Sequence, residues 1–246
     1  MQFLNYFLDI VFPKLCLSCG IEGFLVCPDC VAKIPIQTDF HCFICKKRSP
    51  GGKICPQCRK KAGQIGLTGL LIASDWRNLL VRQLIYECKY RFIKALADPM
   101  ADVMIQFLET NILTNPTLSG AEGWQIDKLI LVPVPLHKKR TAWRGFNQAE
   151  EIASAIAKKI QIPIYKNLIE RMKNTAPQME IKDKKERTRN VAGAFRIDKN
   201  FREDIRGKVI ILIDDVCTTA ATLNECAAAI KGLGPNEIWG LALARG

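Results

Sequence analysis

From residue 66 onwards, the apolar positions of this chain alternate between short dense runs and longer stretches with helical spacing. Dense runs of β-branched and aliphatic residues predict strands at 68–74, 128–134, 164–169, 192–197, 208–213 and 237–243. Apolar residues that recur every three or four positions predict helices at 76–90, 95–108, 148–160 and 222–233. Strands that alternate with helices of this length predict an α/β fold, in which a mostly parallel sheet is covered by helices on both faces.

Polar and terminal segments frame these predicted elements. Residues 111–123 are rich in Asn, Pro, Ser and Gly and predict a loop, and residues 173–190 form a longer charged stretch. Residues 1–12 are mostly apolar, yet they carry Asp9, lack a cationic leader and are too short to cross a bilayer. We therefore expect no transmembrane segment and a cytoplasmic protein. Residues 1–12 are expected to form a short amphipathic helix that packs on the next segment or touches the inner face of the membrane.

The N-terminal quarter of the chain differs from the rest in its cysteines. Eight of the 11 cysteines lie in four Cys-x-x-Cys pairs within residues 16–58. A segment this short and turn-rich buries too little apolar surface to fold without a cross-link such as a metal ion or a disulfide. We therefore predict two domains, a cysteine-rich unit over residues 1–62 and the α/β domain over residues 63–246. In a cytoplasmic protein, this many cysteines point to metal binding rather than to disulfides.

Each Cys-x-x-Cys pair places two thiolates on one tight turn, and two such turns complete a tetrahedral site. The four pairs predict a double zinc ribbon with two structural Zn²⁺ ions. The predicted ligands are Cys16, Cys19, Cys27, Cys30, Cys42, Cys45, Cys55 and Cys58. Neighbouring pairs can share a site, but an interleaved arrangement (first with third, second with fourth) is an alternative. His41, next to Cys42, is an alternative ligand.

The charge of the chain points to a polyanionic partner. The net charge is +12 and the isoelectric point is about 9.3, which favours nucleic acid, anionic lipid or phosphate-rich ligands over neutral partners. Basic residues cluster in the cysteine-rich segment and in two later segments. The nucleic-acid candidates are Lys46, Lys47, Arg48, Lys138, Lys139, Lys173, Lys184, Lys185, Arg187 and Arg189. A solvated basic surface is the alternative interpretation of these residues.

The clearest chemical pattern lies at 209–223. A buried-strand pattern ends at the acidic pair Asp214 and Asp215, and a loop of small and hydroxyl residues then leads into a predicted helix. Loop amides and a helix dipole favour a phosphate at such a point, and the carboxylates can accept hydrogen bonds from ribose hydroxyls. The segment predicts a sugar-phosphate site. It resembles the phosphoribosyl pyrophosphate (PRPP) loop of type I phosphoribosyltransferases.

Three motifs behind the cysteine-rich segment together resemble the ComF family of competence proteins. They are Pro-Val-Pro at 133–135, Arg-Gly-Phe-Asn-Gln at 144–148 and Asp-Asp-Val-x-Thr-Thr at 214–219. The resemblance covers nearly the whole chain and implies a double zinc ribbon followed by a type I phosphoribosyltransferase-like domain. It also implies a role in natural transformation, with single-stranded DNA as a partner and DNA-uptake or recombination proteins as further partners.

The resemblance also implies roles for individual residues. Asp214 and Asp215 would bind the ribose hydroxyls of PRPP, with Mg²⁺ as cofactor. The implied phosphate-binding residues are Cys217, Thr218, Thr219, Ala220, Ala221 and Thr222 for the 5-phosphate, and Arg140, Arg144 and Gly145 for the pyrophosphate. The basic run at 89–91 is a further candidate for this site, and residues 173–190 take the place of a flexible hood. No catalytic residue is assigned.

Two questions stay open at the level of the sequence. The family usually has Gly where this chain has Ala220, and Ala costs about 1 kcal/mol or more if that position needs a positive φ. The domain therefore either binds DNA in a reused pocket or acts as a PRPP-dependent phosphoribosyltransferase on a base or an amine. Trp143 and Phe146, which flank the Arg144–Gly145 pair, are either base-stacking residues or part of the core.

Overall fold

The computed structural model describes residues 13–61, 65–113, 124–173 and 193–246. The predicted helix at 1–12, most of the predicted loop at 111–123, and the candidate cations Lys184, Lys185, Arg187 and Arg189 lie outside these residues. In chain order the elements are α1 (Pro28–Ala32), α2 (Pro56–Lys61), β1 (Gly69–Asp75), α3 (Leu79–Tyr90), α4 (Ala97–Leu108), β2 (Leu129–Pro133), α5 (Lys138–Arg144), α6 (Gln148–Ile160), β3 (Ile169–Arg171), β4 (Phe195–Ile197), α7 (Arg202–Ile205), β5 (Val209–Cys217), α8 (Ala221–Ile230) and β6 (Glu237–Arg245). None of the helices in these four stretches combines the length and apolar character that a bilayer crossing needs.

Four parallel strands form the central sheet, in the order β1–β6–β5–β2. The two longest, β5 and β6, lie at its centre, and Ile211 of β5 is in register with Trp239 of β6 and Leu131 of β2. Next to β2, Ile164 forms a single parallel bridge with Leu131. The prediction of a mostly parallel sheet is confirmed.

Side chains of the central sheet alternate between two buried clusters. On β5, Ile211 and Ile213 join a cluster with residues of α3, α4 and α6, whereas Ile210 and Leu212 join a second cluster with residues of α8. All four side chains are fully buried. The sheet is therefore covered by helices on both faces, as the near-continuous apolar run of β5 predicts.

The cysteine-rich segment packs along β1, the edge strand of the sheet. Ile36 forms an antiparallel bridge with Ser74, and Lys53 forms another with Gly69. The Ser74 hydroxyl donates a hydrogen bond to the Pro35 carbonyl oxygen over 2.7 Å. These contacts cover an edge that would otherwise expose unpaired backbone groups.

A glycine allows this close approach. A Cβ atom on Gly69 would lie 2.3 Å from the ring of Trp239 and 2.8 Å from the carbonyl oxygen of Gly52. Any side chain at this position would push the cysteine-rich segment or the Trp239 ring out of place.

The prediction of a strand at 164–169 is wrong. Ile164 makes only its single bridge, Lys166 and Asn167 form a turn, and β3 begins at Ile169. Asn favours turns because its side chain can bond to its own backbone. As a result β3 leaves the central sheet and pairs antiparallel with β4.

Helix α5 lies in a segment for which no helix is predicted from the sequence. Its N-cap is His137, whose Nδ1 accepts a hydrogen bond from the Lys139 amide over 3.2 Å. Its C-cap is Gly145, which has a left-handed backbone with φ of 83°. Histidine is not among the usual N-cap residues, so only Gly145 marks this helix in the sequence.

Candidate functional site

The eight paired cysteines form two compact groups. One holds Cys16, Cys19, Cys27 and Cys30, and the other holds Cys42, Cys45, Cys55 and Cys58. Within each group the four sulfurs lie within 4.8 Å of one another, and two of the spacings are 3.6 and 3.7 Å. Four sulfurs bound tetrahedrally to Zn²⁺ at about 2.3 Å lie about 3.8 Å apart, so both groups fit structural zinc. Neighbouring pairs share each site, and neither the interleaved arrangement nor His41 as a ligand agrees with the structure.

The pKa values of the thiols show why these groups suit a divalent cation. Burial tends to raise the pKa of Cys16, but nearby backbone amides lower it to about 6, and the same balance holds for Cys42. The Cys30 amide acts to lower the pKa of Cys27, yet burial and neighbouring sulfurs raise it to about 12. Burial and the same kind of neighbours raise the pKa of Cys58 to about 12. Four thiols this close therefore do not all ionise unless a cation balances their charge.

A cleft opens at the carboxyl ends of β2 and β5. Its walls come from the end of α3, from α5, from the start of α6, from β3 and from the loop between β5 and α8. Open α/β sheets bind their ligands at this edge. All of the predicted PRPP-site residues line the cleft except Thr219 and Gly145, which are the immediate neighbours of residues that do.

The acidic pair is held by its own backbone and by one lysine. The Asp215 amide donates to Asp214 Oδ1 over 2.9 Å, and the Val216 amide donates to Asp215 Oδ1 over 2.8 Å. Lys89 Nζ lies 2.7 Å from Asp215 Oδ2, and the two side chains are only 16% and 8% exposed. Lys89 thus lies in the cleft, as the basic run at 89–91 suggests.

The pair carries less negative charge than two carboxylates would suggest. Burial and repulsion by Asp215 raise the pKa of Asp214 to about 8, although Lys89 acts in the opposite direction. Near neutral pH Asp214 therefore favours its protonated form.

The loop after β5 leads directly into α8. Ala220 has φ of 63° and ψ of 12°, which is the left-handed region, and its side chain is 4% exposed within the second cluster. The position thus needs a positive φ, and alanine costs roughly 1–2 kcal/mol there. Thr219 Oγ1 accepts a hydrogen bond from the Ala221 amide over 3.3 Å, which helps to hold the loop. The first residues of α8, Ala221, Thr222 and Leu223, line the cleft, and a helix N-terminus favours an anion.

Three arginines, Arg140, Arg144 and Arg171, line the same cleft. Burial lowers the pKa of Arg144, and the nearby Asp215 acts to raise it. The Arg144 Nε atom is buried without a hydrogen-bond acceptor among the described residues, and the same is true of Gln148 Nε2 as a donor. Buried polar hydrogens without an acceptor are costly, and a ligand oxygen such as that of a phosphate would satisfy them.

The remaining nucleic-acid candidates in the described residues come from three segments of the chain. Lys46, Lys47 and Arg48 lie in the cysteine-rich segment, and Arg48 pairs with an aspartate at 2.5 Å. Lys138 and Lys139 begin α5 beside the cleft, and Lys138 pairs with Glu170 at 2.7 Å. Lys173 follows β3.

Two residues of the cleft, Arg171 and Gln148, are not among the site residues predicted from the sequence. Arg171 ends β3, with its side chain over the ring of Phe195, at 5.7 Å from Cζ to the ring centroid. It is 8% exposed. The only signal in the sequence is a cation at the end of an apolar run. Gln148 closes the Arg-Gly-Phe-Asn-Gln motif and begins α6.

Comparisons with known proteins agree with this architecture. A family model for the double zinc ribbon domain matches residues 7–59, and one for the phosphoribosyl transferase domain matches residues 144–244. Competence protein F of Haemophilus influenzae is 35% identical over 116 residues, which are 46% of this chain and 50% of that protein. DNA utilization protein YhgH of Salmonella typhi is 27% identical over 203 residues, 76% of this chain and 82% of that protein. Competence protein ComFC of Bacillus subtilis is 27% identical over 209 residues, 85% of this chain and 79% of that protein.

The fold, the two four-cysteine sites and the cleft define a protein that joins a double zinc ribbon to a phosphoribosyltransferase domain. The relatives that the chain matches carry competence and DNA utilization names. This agrees with the resemblance to the ComF family of competence proteins that the sequence motifs indicate.

Proposed function

We propose that this protein binds single-stranded DNA in the cytoplasm during natural transformation, and that the cleft holds a ribose phosphate of the strand. The observation that carries the proposal is the charge of the cleft. Four cations line it, Lys89, Arg140, Arg144 and Arg171, against the two carboxylates of the acidic pair. Among the described residues that line the cleft, cations outnumber carboxylates, which favours an anion as the occupant.

The shape of the site agrees with a ribose phosphate as the anion. A phosphate on the amides at the start of α8 would place its sugar beside Asp214 and Asp215, which can accept hydrogen bonds from sugar hydroxyls. A deoxyribose has fewer hydroxyls, but its phosphates make the same contacts, and phosphate contacts dominate the affinity for nucleic acid. The relatives' names, competence and DNA utilization, support DNA over other polyanions. The basic residues of the cysteine-rich segment are a second contact for the strand, and DNA-uptake or recombination proteins are the proposed partners.

A titration with a fluorescent oligothymidylate across a salt series tests this function. Affinity is expected to fall with rising salt, by about 0.7 in log–log slope for each phosphate contacted. The double variant Arg140→Gln/Arg144→Gln should lower both affinity and slope. Its matched control is Arg202→Gln/Arg206→Gln, which removes two exposed cations at the opposite edge of the sheet. Absence of binding at low salt, or equal losses in the two double variants, would refute the proposal.

A PRPP-dependent phosphoribosyltransferase acting on a base or an amine is the second candidate. The acidic pair next to a phosphate-binding helix terminus favours it, because carboxylate oxygens are also ligands that Mg²⁺ accepts. Bound Mg²⁺ would offset the charge of a departing pyrophosphate, and Arg140 and Arg144 would orient that group. Calorimetry with Mg-PRPP tests this candidate, and failure to detect binding would remove it.

A further inference from the structure

Exposed aromatic rings concentrate beside the cleft. Five aromatic side chains are strongly exposed in the described residues, and four of them lie on α3, just after it, or on α5. The four are Tyr86 (55% exposed), Tyr90 (51%), Phe92 (40%) and Trp143 (63%). By contrast, Phe146 is 8% exposed and belongs to the core. The alternative that places Trp143 in the core is therefore wrong, and we call these four side chains the aromatic surface.

The rings of the aromatic surface stand in two pairs. Tyr86 and Tyr90 are one helical turn apart on α3, with ring centroids separated by 5.0 Å. Phe92 meets Trp143 edge to face, with centroids 4.9 Å apart. Tyr90 and Lys89 line both the cleft and the groove along the outer side of α3. The aromatic surface is therefore continuous with the phosphate-binding cleft.

Phe92 is held in a costly conformation to complete this surface. Its φ is 59°, in the left-handed region, which is uncommon for a bulky residue. Such strain persists only where the surrounding structure maintains it, and it concentrates at functional positions. Here the strained backbone brings the Phe92 ring against Trp143 instead of burying it.

The charges around the aromatic surface are mainly positive. Arg82 lines the groove one turn before Tyr86, and the Arg144 guanidinium lies 5.9 Å from the Trp143 ring centroid. The acid on this part of α3 is Glu87, which pairs with Arg91 at 3.5 Å and is only 16% exposed. Exposed rings interleaved with cations are what single-stranded nucleic acid needs, because each base can stack while its phosphate meets a positive charge.

We propose that the aromatic surface stacks the bases of a DNA strand whose phosphates enter the cleft. The inference rests on the proposed function, and it adds where the bases lie and how they are held. Because every base has a stacking face, this surface would bind strands with little preference for sequence. Charge complementarity favours this occupant over an apolar protein segment, and a second copy of this chain would bring its own cations to the same place.

Two matched oligonucleotides separate the contribution of base stacking from that of phosphate binding without any change to the protein. A 20-residue strand and an abasic strand of equal length carry the same phosphates, so their salt slopes should be equal. The strand with bases is expected to bind about tenfold to a hundredfold more tightly. The variants Tyr86→Ala and Trp143→Ala should each remove much of that difference without altering the slope. Phe24→Ala, which removes an exposed aromatic ring from the cysteine-rich segment, is the matched control. It should change neither the difference in affinity between the two strands nor the salt slope.

The outcomes distinguish this inference from the proposed function. If both strands bind equally and salt-dependently, the cleft function stands and the stacking surface is refuted. If neither strand binds, both proposals fail. If sedimentation shows a dimer that Tyr86→Ala and Trp143→Ala dissociate, while both strands bind equally, the aromatic surface belongs to a second copy of the chain and the inference is overturned.

Discussion

Replacement of Lys89 by methionine tests whether the acidic pair depends on its buried cation. Methionine keeps much of the length of the side chain and removes only the charge. Lys89 and Asp215 are 16% and 8% exposed and 2.7 Å apart, so the change leaves a buried carboxylate without its partner. Loss of one partner of a buried ion pair costs about 3–5 kcal/mol.

Two features of the cleft reduce this cost. The acidic pair can take up a second proton, and Arg144 lies close enough to Asp215 to interact with it electrostatically. We therefore expect Lys89→Met to lower the free energy of unfolding by about 2–4 kcal/mol at neutral pH. The double variant Lys89→Met/Asp215→Asn should regain at least half of this loss, because a neutral amide replaces the unpaired carboxylate.

Urea unfolding of the zinc-loaded protein, followed by circular dichroism, measures these changes. Lys94→Met is the matched control. It breaks the Lys94–Glu151 pair at 2.9 Å, in which the lysine is 59% exposed, and should cost less than about 1 kcal/mol. The reasoning is refuted if Lys89→Met costs no more than Lys94→Met, or if the losses in the double variant simply add.

Three further predictions concern metal, pH and packing. The purified protein should contain two zinc ions per chain, and Cys42→Ser should release one while leaving the other; loss of both would show that the sites are coupled. The raised pKa of Asp214 means that the native state binds more protons than the unfolded state between about pH 4 and 8, so this group lowers stability as pH rises through that window. The stability of Asp214→Asn relative to wild type should therefore increase from pH 5.5 to 8.5, and a constant difference would contradict the assignment. Gly69→Ala should lower the free energy of unfolding by more than about 2 kcal/mol in urea, because its Cβ meets Trp239. Gly232→Ala, which has open space around it, should lower it by less than about 1 kcal/mol. Equal losses in the two variants would argue against the packing account.

The parts of the fold that depend on local pattern are readable from the sequence. The run that forms β5 is apolar throughout because both faces of that strand are buried, and it ends at Asp214 and Asp215 because the cleft opens there. Helix α6 occupies the predicted range 148–160 because its apolar residues recur at helical spacing. The Cys-x-x-Cys pairs predict metal sites because few other structural features require two thiols at that spacing.

The sequence does not show which distant segments come into contact in the folded chain. Lys89 reaches Asp215 only because α3 ends over the carboxyl edge of the sheet, and Arg171 enters the cleft only because β3 leaves the central sheet. The positive φ of Ala220 is suggested only by the glycine that the ComF family usually has at this position, because alanine itself rarely adopts it. The sequence alone allows Trp143 to be a core or a surface residue. The structure decides, because α5 lies outside the two buried clusters.

The most direct test of the account is competition between Mg-PRPP and a bound DNA strand. A fluorescent oligothymidylate is bound near half saturation, and Mg-PRPP is added at constant ionic strength, with Mg-pyrophosphate as the control for phosphate charge alone. If the cleft holds the ribose phosphates of the strand, PRPP should displace the oligonucleotide and do so better than pyrophosphate. Oligonucleotide binding that is unchanged at a PRPP concentration that saturates the cleft, as calorimetry defines it, would contradict the account.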